Sequence, residues 1–170
     1  NASTLGNKYD MRRILDDTLL KAMPEKAVTV VDNHDTQPLQ ALEAPVEAWF
    51  KAIAYSIILL RAEGYPCVFY PDLYGAHYKD HGKDGKEYEI WLAKVNELEK
   101  LLWARNNCAY GMQRDYFDHQ NCIGWTREGG ENHSGCAVVL TNGDNGNKNM
   151  EVGKRYSGKK FIDSLGKNPA

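Results

Sequence analysis

The residues best suited to chemistry in this 170-residue chain form one polar run, Asp32–Thr36 (DNHDT), which follows the apolar run Val28–Val31 directly. The β-branched residues of the apolar run predict a buried strand. In a parallel α/β protein, ligands bind beyond the C-terminal ends of the strands, where these carboxylate, amide and imidazole groups would lie. Two other interpretations stay open. The acidic and amide residues could only form a turn or cap the next helix, or His34 and its neighbours could bind a metal, although no second ligand cluster is evident.

The surrounding sequence predicts the elements that would position this run. The spacing of apolar residues along 28–106 predicts a strand, a helix, a strand and a helix in turn, an order typical of parallel βα units. The predicted elements are a helix over 10–22 capped by Asp10, a strand over 28–31, a helix from Pro45 to about Leu60, a strand over 67–70, a long loop over 72–88 and a helix over about 89–106. Asp72 ends the second strand, so we expect its carboxylate on the same side as the polar run.

The pattern changes near Cys108. Beyond it, short alternating or aromatic runs are separated by turn residues such as Gly129-Gly130 and Asn142-Gly143, which is typical of antiparallel sheet. The predicted strands are 115–117, 122–126 and 136–141, with weaker ones near 149–152 and 160–162. We therefore predict two domains, over residues 1–107 and 108–170.

Composition excludes several classes of function. With 42% apolar and 26% charged residues and a net charge of −2, the chain gives no reason to expect a nucleic acid or a membrane as partner. The four cysteines lack the spacing of a zinc site. Their even number permits two disulfides, but we expect free thiols in a reducing compartment.

The motifs, taken together, resemble glycoside hydrolase family 13, the α-amylase family. The run VTVVDNHDTQ (28–37) is similar to the motif after the seventh barrel strand of that family. The stretches WFKAIAYSIILLR (49–61), GYPCVFYPDLYG (64–75) and GWTREG (124–129) resemble the bacterial liquefying-type enzymes, most of all their cytoplasmic branch. The resemblance covers nearly the whole chain. It implies the last βα units of a (β/α)8 TIM barrel, followed by the start of an antiparallel β-sandwich C-terminal domain.

The resemblance also implies roles for individual residues. Members of the family are retaining glycosidases of α-1,4-glucans that use a carboxylate nucleophile and a carboxylic acid. Asp35 matches a third carboxylate, which stabilises the transition state, and His34 matches a neighbour that hydrogen-bonds the sugar. The nucleophile and the acid/base belong to strands that would precede this chain. We therefore expect the chain alone to be inactive, and we expect Asp72 to be at most a further substrate contact.

A calcium site between barrel and C-terminal domain is a further implication of the resemblance. Its ligands would be three backbone carbonyls and two side chains, at Asn7, Tyr9, Gln120, Asn121 and Asn142. This sequence has amides where the family pattern has two carboxylates, and the loss of two negative charges weakens a site for a hard cation. Calcium could therefore belong to the intact parent protein, and we expect none to be bound by this chain.

The resulting expectation is a part of an α-amylase that acts on starch, glycogen or maltodextrin. The expected partners are an α-glucan and either the N-terminal portion of the same protein or another copy, and the expected location is the cytoplasm, with secretion as the alternative. Two other functions remain open, namely a non-catalytic glucan-binding or structural fragment and a related transglycosylase.

Overall fold

A computed structural model describes residues 2–166 and shows a mixture of short helices and short strands. The helices are α1 (Ala2–Leu5), α2 (Leu19–Ala22), α3 (Ala48–Leu60), α4 (Tyr70–Tyr74) and α5 (Leu98–Asn107). The strands are β1 (Val28–Val30), β2 (Tyr65–Cys67), β3 (Ala76–His81), β4 (Glu87–Leu92), β5 (Gln113–His119), β6 (Cys122–Arg127) and β7 (Cys136–Thr141). Residue 1 and residues 167–170 of the two predicted domains lie outside the described residues.

Strands β1 and β2 form a parallel pair in which Val28 lies opposite Tyr65 and Val30 opposite Cys67. The predicted strand at 28–31 and its parallel pairing are thus confirmed, but its predicted burial is wrong for this chain, since Val28 is 68% and Val30 47% exposed. The second strand lies two to three residues earlier than predicted, at Tyr65–Cys67, because Tyr70 and Pro71 begin α4. Proline suits the first turn of a helix, where its missing N–H is not needed.

Helix α3 is the centre of the core, as its nearly all-apolar sequence predicts. Its buried side chains pack against α5 on one side and against the sheet formed by β5, β6 and β7 on the other. The buried apolar residues of this core include Phe50, Tyr55, Ile57, Leu59, Leu98, Leu101, Ile123 and Trp125. The predicted helix at about 45–60 is confirmed, since α3 covers 48–60. None of the helices within residues 2–166 has the length and apolar composition needed to span a bilayer.

The helix predicted over 10–22 is wrong. Asp10 does cap a short 3-10 helix at Met11–Arg13, because its side chain accepts a hydrogen bond from the backbone N–H of Arg12 at 3.1 Å. The backbone then turns at Asp17, which has a φ of 55°. A positive φ interrupts a right-handed helix, and a new cap at Thr18 starts α2 instead.

The loop predicted over 72–88 and the first half of the helix predicted over 89–106 are also wrong. Residues 76–92 form an antiparallel hairpin, β3–β4, and the helix begins only at Leu98. The burial alternates as in a strand, since Ile90 is 7% exposed and Trp91 is 70% exposed. The turn residue Gly85 has a φ of 76°, a conformation that glycine adopts without strain.

The antiparallel strands predicted beyond Cys108 are confirmed at β5, β6 and β7, which pair in sequence order. Every residue of β6 is buried, because α3 covers one face of the sheet and the segment around Glu151 covers the other. The weaker strands predicted near 149–152 and 160–162 are absent from the described residues, so this region is one three-stranded sheet there. The four cysteines are free thiols, as expected.

The C-terminal end of α3 joins the helical part of the chain to this sheet. The backbone carbonyl of Leu59 accepts a hydrogen bond from Arg105 at 2.6 Å, and the carbonyl of Leu60 accepts one from Trp125 at 3.2 Å. Arg61, whose side chain is only 2% exposed, makes two hydrogen bonds of 2.8 Å to the carboxylate of Asp115 on β5. Cationic side chains at a helix C-terminus satisfy its carbonyls and complement its dipole.

We expect Asp115→Ala to lower the free energy of unfolding by about 2 kcal/mol, because it removes the bidentate carboxylate partner of the buried Arg61 guanidinium. Urea unfolding measures this change. Glu87→Ala is the matched control on a strand, since Glu87 forms a surface ion pair with Lys79 in which the two side chains are 51% and 61% exposed. Its cost should stay below about 1 kcal/mol. Equal costs for the two variants would contradict the importance of the buried pair.

Candidate functional site

The polar run after β1 forms a turn that is fixed by its own side chains. The side-chain oxygen of Asn33 accepts hydrogen bonds from the backbone N–H groups of Asp35 at 3.0 Å and Thr36 at 2.9 Å. The hydroxyl of Thr36 in turn accepts a hydrogen bond from the N–H of Asn33 at 3.1 Å. These reciprocal hydrogen bonds form a turn, which is one of the structures that the sequence allowed for this run.

His34 and Asp35 lie at the tip of this turn and point their side chains to solvent. Their side chains are 83% and 56% exposed, and the imidazole Nε2 lies 3.4 Å from a carboxylate oxygen of Asp35. Asp35 takes part in the turn through its backbone N–H, so the carboxylate of Asp35 remains available to a ligand. A carboxylate that accepts hydrogen bonds beside an imidazole that can donate them is suited to neighbouring hydroxyl groups of a sugar.

Asp32 has a structural position. It is 5% exposed, and one of its carboxylate oxygens accepts a hydrogen bond from the backbone N–H of Val46 at 3.0 Å. The other oxygen lies 2.7 Å from the ammonium group of Lys51 on α3. These contacts hold the two ends of the loop of residues 32–46 in place. The exposed pair therefore lies in a loop whose ends are fixed.

Asp72 is buried rather than open to the site. It is 1% exposed, and its two carboxylate oxygens lie 2.5 Å from the ammonium of Lys51 and 2.6 Å from the hydroxyl of Tyr55. The prediction that Asp72 ends the second strand is wrong, because Asp72 lies in α4, beyond the end of β2 at Cys67. Its carboxylate does approach that of Asp32, with Lys51 between the two. Burial and complete pairing argue against a direct substrate contact for Asp72.

Lys51 therefore joins the end of β1 to α4 through two buried carboxylates. Burial alone lowers the pKa of the Lys51 ammonium, but the hydrogen bonds and negative charges of Asp32 and Asp72 outweigh this effect and raise the pKa overall. Burial and the hydrogen bond to Asp72 likewise raise the pKa of the Tyr55 hydroxyl. Lys51 is thus held as a cation and Tyr55 as a neutral hydrogen-bond donor.

Sequence reasoning missed Lys51 and Tyr55. The available signal was their spacing, since two polar groups four residues apart lie on one face of a helix that is otherwise apolar. A lysine on such a helix suggests a charge exposed to solvent, unless buried carboxylates are known to lie beside it.

The hairpin β3–β4 flanks the loop that carries the candidate pair. The side-chain amide of Gln40 donates a hydrogen bond of 3.0 Å to Asp80 on β3, which attaches the loop to the hairpin. On the opposite face of the hairpin, His77 stacks on Trp91 at 3.5 Å between ring centroids and contacts Glu89 at 2.6 Å. The hairpin is thus attached, through Gln40, to the loop that carries the exposed pair.

The five residues predicted as a calcium site do come together at the other end of the molecule. The amide nitrogen of Asn121 donates to the backbone carbonyl of Asn7 at 2.6 Å, and that of Asn142 donates to the carbonyl of Tyr9 at 2.8 Å. The carbonyl of Gln120 accepts a hydrogen bond of 2.7 Å from a backbone N–H. Amide N–H groups occupy the carbonyls that a cation would need, so these residues do not fit calcium. Within residues 2–166, moreover, no group of three or more His, Cys, Asp or Glu side chains is arranged to hold a metal ion.

Comparison with known proteins relates the whole chain to one group of enzymes. No protein-family model matches it. Over 165 residues, or 97% of its length, the chain is 53% identical to the cytoplasmic alpha-amylase of Escherichia coli (strain K12), of which it covers 33%. It is 48% identical to the alpha-amylase of Bacillus licheniformis, over 97% of the chain and 31% of that protein. It is 46% identical to the glucan 1,4-alpha-maltohexaosidase of Bacillus sp. (strain 707), over 98% of the chain and 30% of that protein.

The chain therefore spans about a third of the length of the curated relatives that it matches, and the matched part is their C-terminal third. Identities of 46–53% across nearly every residue are far above what a shared fold alone would require. Over nearly its whole length, the chain is similar to the C-terminal third of alpha-amylases.

Proposed function

We propose that this chain is the C-terminal part of an α-amylase that hydrolyses internal α-1,4-glucosidic bonds with retention of configuration, and that Asp35 supplies its transition-state-stabilising carboxylate. The observation that carries the proposal is the exposed pair of His34 and Asp35 on a rigid turn after a parallel strand. The names of the relatives, which are alpha-amylases and a maltohexaosidase, support the substrate class.

The proposed role of Asp35 follows from the charge that develops during glycoside cleavage. The transition state resembles an oxocarbenium ion, and hydrogen bonds to ring hydroxyls that strengthen there lower the barrier by several kcal/mol. Asp35 would accept such hydrogen bonds, and His34 would donate one to the same sugar. The nucleophile and the acid/base would come from the N-terminal portion of the protein.

We further propose that residues 1–107 complete a (β/α)8 barrel and that residues 108–170 begin the C-terminal domain. The parallel pair β1–β2 has an exposed face that bears Val28, Val30 and Tyr65, which are 68%, 47% and 60% exposed. Such a face and its unpaired strand edges favour contact with further strands. The N-terminal portion of the same protein would supply them. The free cysteines and the cytoplasmic relative favour a cytoplasmic location.

The test compares the purified 170-residue chain with the full-length protein on soluble starch and maltoheptaose. We expect the full-length protein to release reducing ends and the chain alone to release none, because Asp35 cannot also supply the nucleophile and the acid/base that two-step retaining hydrolysis needs. Hydrolysis by the pure chain would contradict the assignment of the nucleophile to another segment. A full-length protein without activity on either glucan would contradict the proposed function.

A further inference from the structure

We propose that the side-chain amides of Asn121 and Asn142 replace a cation at the junction between the N-terminal segment and the sheet, so that this junction is held together without calcium. The two asparagines follow β5 and β7, where those strands approach the 3-10 helix at Gly6–Lys8. This inference concerns stability and is independent of the proposed activity.

The orientation of both amides is fixed by their acceptors. The amide nitrogen of Asn142 lies 2.9 Å from the carbonyl oxygen of Gly6 and 2.8 Å from that of Tyr9. The amide nitrogen of Asn121 lies 2.6 Å from the carbonyl oxygen of Asn7. A backbone carbonyl can only accept, so each asparagine must present its NH₂ group rather than its oxygen to this cluster.

The hydrogen-bond capacity of the two NH₂ groups is fully used. Asn142 donates twice, to Gly6 and Tyr9, and Asn121 donates twice, to Asn7 and to the side-chain oxygen of Asn142 at 3.0 Å. A closed network of this kind leaves no amide hydrogen unsatisfied. Such networks are stable when every member is paired and costly when one member is removed.

A cation would compete with these donors and would gain little in return. Calcium prefers several oxygen ligands that include carboxylates, and this cluster offers carbonyls that already accept protein hydrogen bonds. Asn142 is also only 6% exposed, so a bare divalent charge would be desolvated there without a compensating negative side chain. The two amides thus replace a cation, because their N–H groups hold several carbonyl oxygens close together.

The network joins parts of the chain that are far apart in sequence. Its hydrogen bonds connect residues separated by 114 and 136 positions. Beside it, the backbone N–H of Met11 donates to the carbonyl of Gln120 at 2.7 Å, and Met11 itself is fully buried in the core. The cluster therefore attaches the N-terminal segment to β5, β6 and β7 at their shared end.

The test measures thermal unfolding of the chain and of its Asn142→Asp variant, each in EDTA and in millimolar calcium. For the unchanged chain we expect Tm values that agree within about 1 °C, since a ligand that does not bind cannot shift the equilibrium. Asn142→Asp removes two hydrogen-bond donors and turns carboxylate oxygens towards two backbone carbonyls, those of Gly6 and Tyr9. We expect its Tm in EDTA to fall by about 4–8 °C, and calcium to restore part of that loss.

Asn145→Asp is the matched control, because Asn145 is exposed in the loop that follows β7 and the change adds the same charge nearby. It should leave the Tm unchanged in both solutions. If Asn142→Asp does not fold, the Tm of Asn121→Asp in the same two solutions tests the same network. The proposal is overturned if calcium raises the Tm of the unchanged chain by several degrees, or if both aspartate variants unfold in EDTA at the same temperature as the unchanged chain.

Discussion

Asp35→Asn in the full-length protein is expected to lower kcat about 10²- to 10³-fold without affecting the free energy of unfolding. The side chain is 56% exposed and its carboxylate supports no element of the fold, because the turn depends on the backbone N–H of Asp35 and on the side chains of Asn33 and Thr36. Asparagine keeps the shape but loses the negative charge. The loss should therefore appear in the stabilisation of a positively charged transition state.

The measurement is steady-state hydrolysis of maltoheptaose, together with urea unfolding of the same preparations. Asp17→Asn is a suitable control, since Asp17 is exposed at a positive φ that asparagine also tolerates and lies far along the chain from the turn. It should leave kcat unchanged. A rate for Asp35→Asn within about threefold of the unchanged protein would contradict the transition-state role that the oxocarbenium argument assigns.

The parts of the fold that could be predicted from sequence are those with a strong local period. Helix α3 and strands β1, β6 and β7 fall where the apolar spacing places them. The hairpin at 76–92 could not be predicted from the spacing of apolar residues alone. Its first strand has the composition of a polar loop, and its second strand resembles the start of a helix, although the two strands pair with each other. The Asp84-Gly85 dipeptide was the available signal, since such a pair favours a tight hairpin turn.

The turn that carries the candidate site could be predicted from the sequence, but the contacts that support it could not. A turn was one of the interpretations that the polar run allowed, and the structure shows the hydrogen bonds of Asn33 that form it. The calcium-type cluster came together as the family resemblance implied, yet only the structure shows amide hydrogens directed at its carbonyls. Asp72 illustrates the limit of sequence analysis. It lies in α4 rather than at the end of the second strand, and it pairs with a lysine from a distant helix.

That lysine leads to the second large expected effect. Lys51→Met should destabilise the protein by about 3–5 kcal/mol, because it leaves the buried carboxylates of Asp32 and Asp72 without their shared cation. The two side chains are only 3% and 2% exposed. Urea unfolding at neutral pH measures the change. Lys21→Met is the matched control, since Lys21 makes an equally short ion pair of 2.6 Å with Asp16 but is 62% exposed. Its cost should stay below about 1 kcal/mol.

A double substitution separates this electrostatic cost from a simple loss of packing. In Lys51→Met the buried carboxylates of Asp32 and Asp72 lack the cation that lies between them in the unchanged protein. Adding Asp72→Asn removes one buried charge and should recover part of the lost free energy of unfolding. The pH dependence gives a second measurement. In the unchanged protein the pKa of Lys51 is raised, so the stabilisation that Lys51 provides is complete below the ordinary lysine pKa and is lost in more alkaline solution. The difference in free energy of unfolding between the unchanged protein and Lys51→Met should therefore shrink above about pH 10. A difference that stays constant with pH, or that Asp72→Asn leaves unchanged, would show that Lys51 acts by packing alone and not by holding Asp32 and Asp72 together through charge.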